Sequence, residues 1–296
     1  MWKQQLKDGN NTVIGGWEYY FPGTANNGRI TGTKDLQSLE EITYQYDALN
    51  RLTNAAKVGG GWSEPYVYDG FGNLNQKGAS SWQIDTSTNR LHSTTGATYD
   101  SNGNLTGLLG GVSYTYDAAN RMSTATVTGG LERYAYTADN RRVWKHKSGW
   151  GEEITFWGVS GRLSTYRLDT VGPTYQLYFV EQTRNVWFGA KLIRTGPGAT
   201  PTKLATDRLG SVRMRQTGNN PIEYLTYAPY GEQRSGPNGE GEKFATYYRD
   251  QTGLDYAEQR YYSNAWGRYP TADPIGESAA SIGNQFTYAH ADPVNA

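Results

Sequence analysis

A short motif anchored by tyrosine recurs along the first half of the chain, and this repetition constrains the fold more than any other feature. The five clearest copies read YQYDALNRL (44–52), YVYDGFGNL (66–74), ATYDSNGNL (97–105), YTYDAANRM (114–122) and YAYTADNRR (134–142), and a degenerate copy reads QIDTSTNRL (83–91). The anchor residues Tyr46, Tyr68, Ile84, Tyr99, Tyr116 and Tyr136 are separated by 22, 16, 15, 17 and 20 residues. A unit of about 20 residues cannot bury a core by itself, so the units must stack on one another.

Each copy has the residue pattern of a strand, a tight turn and a returning strand. Apolar and polar residues alternate before the anchor, as in Ile42, Tyr44 and Tyr46, and a period of two is typical of a half-buried strand. The next residue is Asp47, Asp69, Asp100 or Asp117, with Thr137 in the fifth copy. An aspartate there can accept a hydrogen bond from the backbone two residues on. Residues that tolerate a positive φ come next; they are Asn50, Gly72, Gly103 and Asn120. An apolar residue then begins the return strand.

The composition agrees with an all-β chain whose core is largely aromatic. The chain has 24 tyrosines, 9 tryptophans and 37 glycines among its 296 residues, and its mean hydropathy is −0.74. Tyrosine and tryptophan bury large rings while their polar atoms keep a partner. No run approaches the roughly 18 apolar residues of a membrane span, and the N-terminus lacks the apolar region of a signal peptide. We therefore predict no membrane span and place any export signal outside this chain.

The net charge of the chain and its cysteine and histidine residues limit the kinds of molecule that we expect it to bind. Lys+Arg and Asp+Glu both number 28, so the formal net charge is +0. A nucleic-acid partner, which requires a basic field, is therefore not expected. Cysteine is absent, and His92, His146 and His290 are scattered without the spacing of metal ligands. The sequence predicts neither a metal nor a cofactor.

The last third of the chain carries a different set of motifs. These are ATDRLGSVRM (205–214), YLTYAPYGE (224–232) and YYRDQTGLDYAEQRYYSNAWGRYPTADPIG (247–276), and ITFWGVSGRLSTY (154–166) and NVWFGAKLI (185–193) look like further divergent repeats. The repeats resemble the YD repeat, and the long C-terminal motif resembles the RHS-associated core. In this order they cover nearly the whole chain, which is similar to a fragment of an RHS/YD-repeat protein.

The resemblance implies a spiral β-sheet of tandem repeats that forms part of a hollow shell, closed at one end by the core. It divides the chain into an incomplete leading repeat (1–40), a repeat spiral (41–200) and a core truncated before its second DP motif (201–296). It also implies a structural, encapsulating role in a bacterial toxin-delivery or cell-surface protein. The implied partners are an enclosed C-terminal effector, absent from this chain, and cell-surface or secretion components. The implied location is secreted or cell-surface.

The resemblance also raises the question of catalysis, because some family members have an aspartyl autoprotease in the core. Asp273 matches the first DP motif of that core and Arg260, thirteen residues earlier, matches its arginine. Two carboxylates that share a proton would be needed, and Asp292 stands where the family has asparagine. We therefore predict that this chain is not an enzyme, with Asp273 and Arg260 as the candidate catalytic residues of a longer protein.

Two other interpretations remain open at the level of the sequence. A carbohydrate- or surface-binding β module could use exposed aromatic side chains such as Trp62 and Trp150, and a β-propeller could pair units into blades of about 40–45 residues. Further candidates are better explained structurally: the adjacent Glu152 and Glu153 should point to opposite faces of a strand, and Ser211 lacks a nucleophile motif. The arginines Arg208, Arg213 and Arg215 are expected to form a solvated face.

Overall fold

The computed structural model describes residues 1–24, 27–127, 130–171, 176–274 and 284–295. The chain divides into two compact units. Unit 1 comprises Met1–Thr95, Trp266–Arg268 and the described part of 275–296, and unit 2 comprises Gly96–Ala265 and Tyr269–Pro274. The motif divisions 1–40, 41–200 and 201–296 stay a prediction.

Unit 1 contains an antiparallel sheet whose eight strands pair in chain order. Its strands are β1 (Trp2–Lys7), β2 (Val13–Tyr20), β3 (Gly32–Asp35), β4 (Glu41–Tyr46), β5 (Leu52–Lys57), β6 (Ser63–Tyr68), β7 (Leu74–Lys77) and β8 (Ser80–Ser81). The pair β9 (Ile84–Asp85) and β10 (Arg90–Leu91) follows, with short 3-10 turns at Ser93–Thr95 and Ala289–Ala291.

Unit 2 contains a longer sheet of nine strands, again antiparallel and in chain order. Its strands are β11 (Thr98–Tyr99), β12 (Leu105–Leu108), β13 (Val112–Tyr116), β14 (Met122–Val127), β15 (Gly130–Tyr136), β16 (Arg142–Lys147), β17 (Gly151–Gly158), β18 (Gly161–Val171) and β19 (Gln176–Arg184). Neighbouring strands in the sequence are therefore neighbours in this sheet.

Three smaller antiparallel sheets complete unit 2. One consists of β20 (Val186–Phe188), β21 (Lys191–Thr195), β22 (Thr202–Thr206), β23 (Val212–Thr217) and β24 (Glu223–Tyr224). The others are the pair β25 (Thr226–Tyr227) and β26 (Gln233–Ser235), and the sheet β27 (Gly241–Glu242), β28 (Tyr248–Arg249), β29 (Asp255–Tyr256) and β30 (Tyr261–Tyr262), with a 3-10 turn at Phe244–Thr246. The all-β fold of tandem strand–turn–strand units is confirmed.

A register shift marks the anchor position of every clear repeat. It falls between Gln45 and Tyr46 in the first copy and recurs immediately before each later anchor: Tyr68, Tyr99, Tyr116 and Tyr136. A bulge bends its strand and increases the local twist. The same irregularity precedes Trp157 and Trp187 in the two divergent segments, which indicates that these segments are built like the repeats.

In three of the repeats the tyrosine two positions before the anchor is buried. Tyr66, Tyr114 and Tyr134 are 3%, 5% and 6% exposed, whereas the anchors that follow them are half-buried. Small and aliphatic residues of the return strands, such as Leu52 and Met122, pack beside them and are 0% and 2% exposed. In these three repeats the alternation thus places one tyrosine of the pair in the core and the other at its edge, whereas Tyr44 and Tyr46 of the first repeat are both half-buried.

No helix among the described residues is long and apolar enough to cross a membrane.

Candidate functional site

The turn of each repeat is held by its aspartate, as the sequence predicts. The Oδ1 atom of Asp47 accepts hydrogen bonds from the backbone N–H groups of Leu49 and Arg51, both at 2.9 Å. Asn50 adopts a φ of 68° between them, in the left-handed region that asparagine and glycine tolerate. The turns at Asp69, Asp100 and Asp117 have the same bonds. Thr137 provides only its hydroxyl, which accepts from the Arg141 N–H at 3.1 Å.

The residue four positions after the aspartate connects one repeat to the next, a role that the motif alone did not reveal. Arg51 donates from Nε to Asp47 Oδ2 at 2.7 Å and from Nη1 to the backbone carbonyl of Asp69 at 3.0 Å. Arg121 donates in the same way to Asp117, at 2.8 Å, and to the carbonyl of Thr137, also at 2.8 Å. In other copies an asparagine spans the same gap between turns.

Those asparagines reach the side chain of the following turn. Asn73 Nδ2 donates to Asp69 Oδ2 and to Asn89 Oδ1, both at 2.8 Å. Asn104 Nδ2 donates to Asp100 Oδ2 and Asn120 Oδ1, both at 2.9 Å. Within each compact unit, side-chain hydrogen bonds therefore join consecutive turns.

The anchor tyrosines add a second link between successive repeats. The hydroxyl of Tyr68 donates to the carbonyl of Leu52 at 2.8 Å, and that of Tyr136 donates to the carbonyl of Met122 at 2.7 Å. The guanidinium of the preceding repeat lies over the same ring, with Arg51 at 5.0 Å from the centre of Tyr68. Each anchor thus fixes its repeat to the previous return strand.

Tryptophan takes the place of the anchor tyrosine in the divergent repeats. The indole N–H of Trp157 donates to the carbonyl of Arg142 at 2.8 Å, and that of Trp187 donates to the carbonyl of Arg162 at 3.0 Å. In the degenerate copy the equivalent bond, to the carbonyl of Leu74, comes from Trp82 at 2.8 Å. Ile84, the anchor in the sequence alignment of the repeats, has no polar atom for this bond.

Removal of one turn aspartate tests how much these links stabilise the fold. We expect Asp117→Ala to lower the free energy of unfolding by about 2 kcal/mol, because two backbone donors and Arg121 lose a charged acceptor. Asp139→Ala is the matched control, since its side chain is 67% exposed and should change stability by less than about 0.5 kcal/mol. Urea unfolding of the two variants measures the difference, and equal losses would contradict the capping role.

A buried cluster of charges joins strand β16 to the C-terminal motif. Arg142 Nη1 lies 2.5 Å from Asp250 Oδ2, and Lys145 Nζ lies 2.9 Å from Asp250 Oδ1. Lys145 Nζ also contacts Glu132 at 3.1 Å and Glu240 at 2.7 Å. The side chain of Asp250 is 0% exposed. Burial by itself raises the pKa of the Asp250 carboxyl, but Arg142 and Lys145 outweigh it and hold that pKa at about 2.

Tyrosine rings from the repeats and from the C-terminal motif, both in unit 2, surround the Arg142 guanidinium. Its carbon lies 4.5 Å from the ring centre of Tyr256 and 5.1 Å from that of Tyr134. Its Nη1 donates to the hydroxyl of Tyr261 at 2.6 Å, and the Arg142 backbone N–H donates to the hydroxyl of Tyr256 at 2.7 Å. The RYY and TGLDY elements of the C-terminal motif therefore contact a residue of the repeats.

The two candidate catalytic residues lie together. Arg260 Nη2 is 2.8 Å from Asp273 Oδ2, and the Arg260 guanidinium stacks 3.7 Å from the ring centre of Tyr269. The Asp273 side chain is 33% exposed. This geometry supplies one carboxylate and one arginine, and the catalytic assignment of both stays a prediction.

The Asp292 carboxylate accepts hydrogen bonds from a residue close to it in the sequence, within unit 1. The side-chain amide of Asn295 donates to both of its carboxylate oxygens, at 2.9 and 3.0 Å. Burial raises the pKa of Asp292, against these hydrogen bonds and the nearby Arg29.

The remaining sequence candidates take structural roles. Ser211 is 1% exposed and its Oγ accepts from the Ala245 N–H at 3.0 Å. Arg213 donates to the carbonyl of Leu225 at 2.9 Å, and Arg215 pairs with Glu223 at 2.5 Å. No cluster of three or more acidic, histidine or cysteine side chains suited to a metal ion occurs within the described ranges.

The aromatic residues of the carbohydrate-binding alternative are engaged within the protein. The indole N–H of Trp62 donates to Glu40 at 2.9 Å. The ring of Trp150, 38% exposed, lies beside Lys147 Nζ at 5.7 Å and the Arg167 guanidinium at 5.3 Å.

Residues 99–133, which include two full turns and the links between them, match the RHS Repeat family. The chain therefore contains an RHS repeat in this segment. Its fold matches the crystal structure of TcdB2–TccC3–Cdc42 with 18% identity and a TM-score of 0.73, covering 99% of this chain and 17% of that chain. It matches TcdB2–TccC3 with 17% identity and a TM-score of 0.70, covering 99% and 18%.

A third solved structure, the Photorhabdus luminescens Tc holotoxin pore with a mutated TccC3, matches this chain less closely. The identity is 14% and the TM-score 0.53, over 99% of this chain and 18% of that chain. No curated protein matches in sequence. At these identities the likeness establishes the fold, and this chain spans only 17–18% of the length of the solved chains.

Proposed function

We propose that this chain is a structural wall segment of an RHS-type toxin-delivery protein, which encloses a C-terminal effector and acts outside the bacterial cell or at its surface. The observation that carries the proposal is the fold likeness to TcdB2–TccC3 structures over 99% of the chain. Since the chain spans a small part of those proteins, it corresponds to one section of a larger assembly of repeats. In this role the segment is structural and catalyses no reaction.

The bonding between repeats supports a wall function. A wall must remain continuous while each unit is too small to fold alone. The links from Arg51 and Arg121 to the following turns, at 3.0 and 2.8 Å, and the anchor hydroxyls connect consecutive repeats. A chain of this kind can be extended by further repeats without a change of geometry.

Limited proteolysis of the gene product that carries this chain and its downstream residues tests the proposal. An enclosed downstream segment should resist thermolysin under native conditions and be digested only when urea unfolds the wall. The same segment produced alone is the control, and it should be digested at once. If the downstream segment is cut under native conditions while residues 1–296 stay intact, it is not enclosed, and the proposal is wrong.

A second candidate function, self-cleavage by an aspartyl autoprotease core, is favoured by the 2.8 Å contact between Arg260 and Asp273. Here Arg260 would position the carboxylate of Asp273, and the second carboxylate would come from residues beyond Ala296. The intact mass of the same gene product distinguishes the candidates. A single cleavage lost in Asp273→Asn but kept in Asp139→Asn would support the autoprotease, and an uncleaved wild type would leave Asp273 as a structural residue.

A further inference from the structure

Unit 2 contains a polar cavity apart from the Arg260–Asp273 pair. Its volume is about 250 Å³, and it is bordered by strands β16, β17, β18 and β19 and by Glu240 and Tyr248. A space of this size holds about eight water molecules at ~30 Å³ each. It is therefore large enough for one small organic molecule.

Glu153 is a buried carboxylate in the wall of this cavity, and its cationic neighbours are committed elsewhere. In the sheet it is paired with Lys145 on one side and Arg167 on the other. The Lys145 ammonium is directed to Asp250 and two glutamates, and Arg167 pairs with Asp169. Glu153 is 9% exposed, and its carboxylate takes part in none of the ion pairs of the described residues. Burial raises its pKa, opposed by Arg162 and Lys145 from a distance.

Two threonine hydroxyls in the same wall also lack protein partners. Thr165 and Thr183 face each other across strands β18 and β19 and both line the cavity. Their Oγ1 atoms are buried and have no hydrogen-bond partner within the described part of the chain. Thr165 is 2% exposed. Buried polar atoms are nearly always satisfied, so these two hydroxyls and Glu153 point to a bound polar molecule.

The charges around the cavity favour a neutral ligand. Lys147 is paired with Glu240 and Arg162 with Glu242, so the cations have no free charge to offer an anion. A metal ion is disfavoured by the same cations. A hydroxyl group, however, can donate to Glu153 and accept from the threonines. The aromatic residues Trp150 and Tyr248 also line this cavity.

We propose that this cavity binds a neutral polyhydroxyl compound of the size of one sugar ring, held by Glu153, Thr165 and Thr183. The site is distinct from the surface aromatic residues that the sequence suggested, although Trp150 belongs to both. The proposal does not depend on the wall function, because it rests only on the residues that line the cavity.

Isothermal titration calorimetry of the full chain tests this site. The probes are the methyl glycosides of glucose, galactose and mannose up to about 10 mM, with glucosamine and glucuronate as charged counterparts. At least one neutral glycoside should bind, and Glu153→Gln should weaken binding about tenfold, the effect of losing a hydrogen bond to a charged group. Glu152→Gln is the matched control: its side chain accepts from Trp144 Nε1 at 3.2 Å, outside the cavity, and it should bind as the wild type does.

Thr165→Val keeps the shape of the side chain and removes one hydroxyl. It therefore tests the sugar site independently if Glu153→Gln fails to fold. It should weaken binding by a factor of about five to ten. The proposal is overturned if no neutral glycoside binds, if only the charged sugars bind, or if Glu152→Gln weakens binding as much as the two cavity variants.

Discussion

Replacement of Asp250 by alanine is expected to lower the free energy of unfolding by about 3–5 kcal/mol, since it leaves a buried arginine without its counter-ion. Arg142 is 4% exposed and lies 2.5 Å from the Asp250 carboxylate. Lys145 loses one of its three carboxylates in the same variant. Urea unfolding followed by tryptophan fluorescence measures the change.

Two further variants separate the buried pair from ordinary surface pairing. Asp169→Ala breaks a partly exposed pair with Arg167, in which the aspartate side chain is 36% exposed, and should cost less than about 1 kcal/mol. The double variant Arg142→Met/Asp250→Leu should recover most of the loss, because apolar side chains of similar volume replace buried charges well. If Asp250→Ala and Asp169→Ala cost the same, the buried pair does not hold the C-terminal motif on the repeats.

The pH dependence of this pair follows from the sign of the shift. The pKa of Asp250 is lowered from 3.8 to about 2, so the pair stabilises the fold fully above pH 3.8. That contribution, on the order of 2 kcal/mol, is lost as the pH falls from about 4 to 2. The wild type should therefore lose stability more steeply than Asp250→Ala in this range.

Replacement of Lys77 by methionine is expected to stabilise the protein by about 2 kcal/mol at pH 6. Lys77 is 6% exposed, and burial lowers its pKa from 10.5 to about 7, against the attraction of Glu64. The folded protein binds a proton there less readily than the unfolded chain, so the charged form is penalised in full below pH 7. As the pH rises from 7 to 10.5 the wild type regains this stability.

The advantage of Lys77→Met should consequently shrink as the pH rises above 7 and be clearly smaller at pH 9 than at pH 6. Urea unfolding at pH 6 and pH 9 gives the comparison. Lys57→Met is the control, because Lys57 is exposed at the end of strand β5 of the same sheet and should change stability by less than about 0.5 kcal/mol at either pH. A pH-independent gain for Lys77→Met would mean that its ammonium is not disfavoured by burial.

The sequence by itself determined the features that depend on near neighbours. Period-two alternation placed the strands, the aspartate after each anchor placed the turns, and Asn50 and Asn120 were identified as residues for positive φ, which they adopt at 68° and 60°. The opposite faces of Glu152 and Glu153 were also readable, because side chains alternate along a strand. Each of these follows from interactions within about five residues.

Only the tertiary structure decided which distant residues meet. Asp250 and Arg142 are 108 residues apart, and nothing in the local pattern of either distinguishes them from other charged residues of the repeats. The link from Arg51 to the next turn, 18 residues on, likewise depends on how consecutive units stack. Among the described residues Glu153 has no ion pair, because its cross-strand neighbours Lys145 and Arg167 pair with other carboxylates. Local periodicity specifies strands and turns, whereas the pairing of buried charges is settled by burial and distance, which exist only once the units have packed.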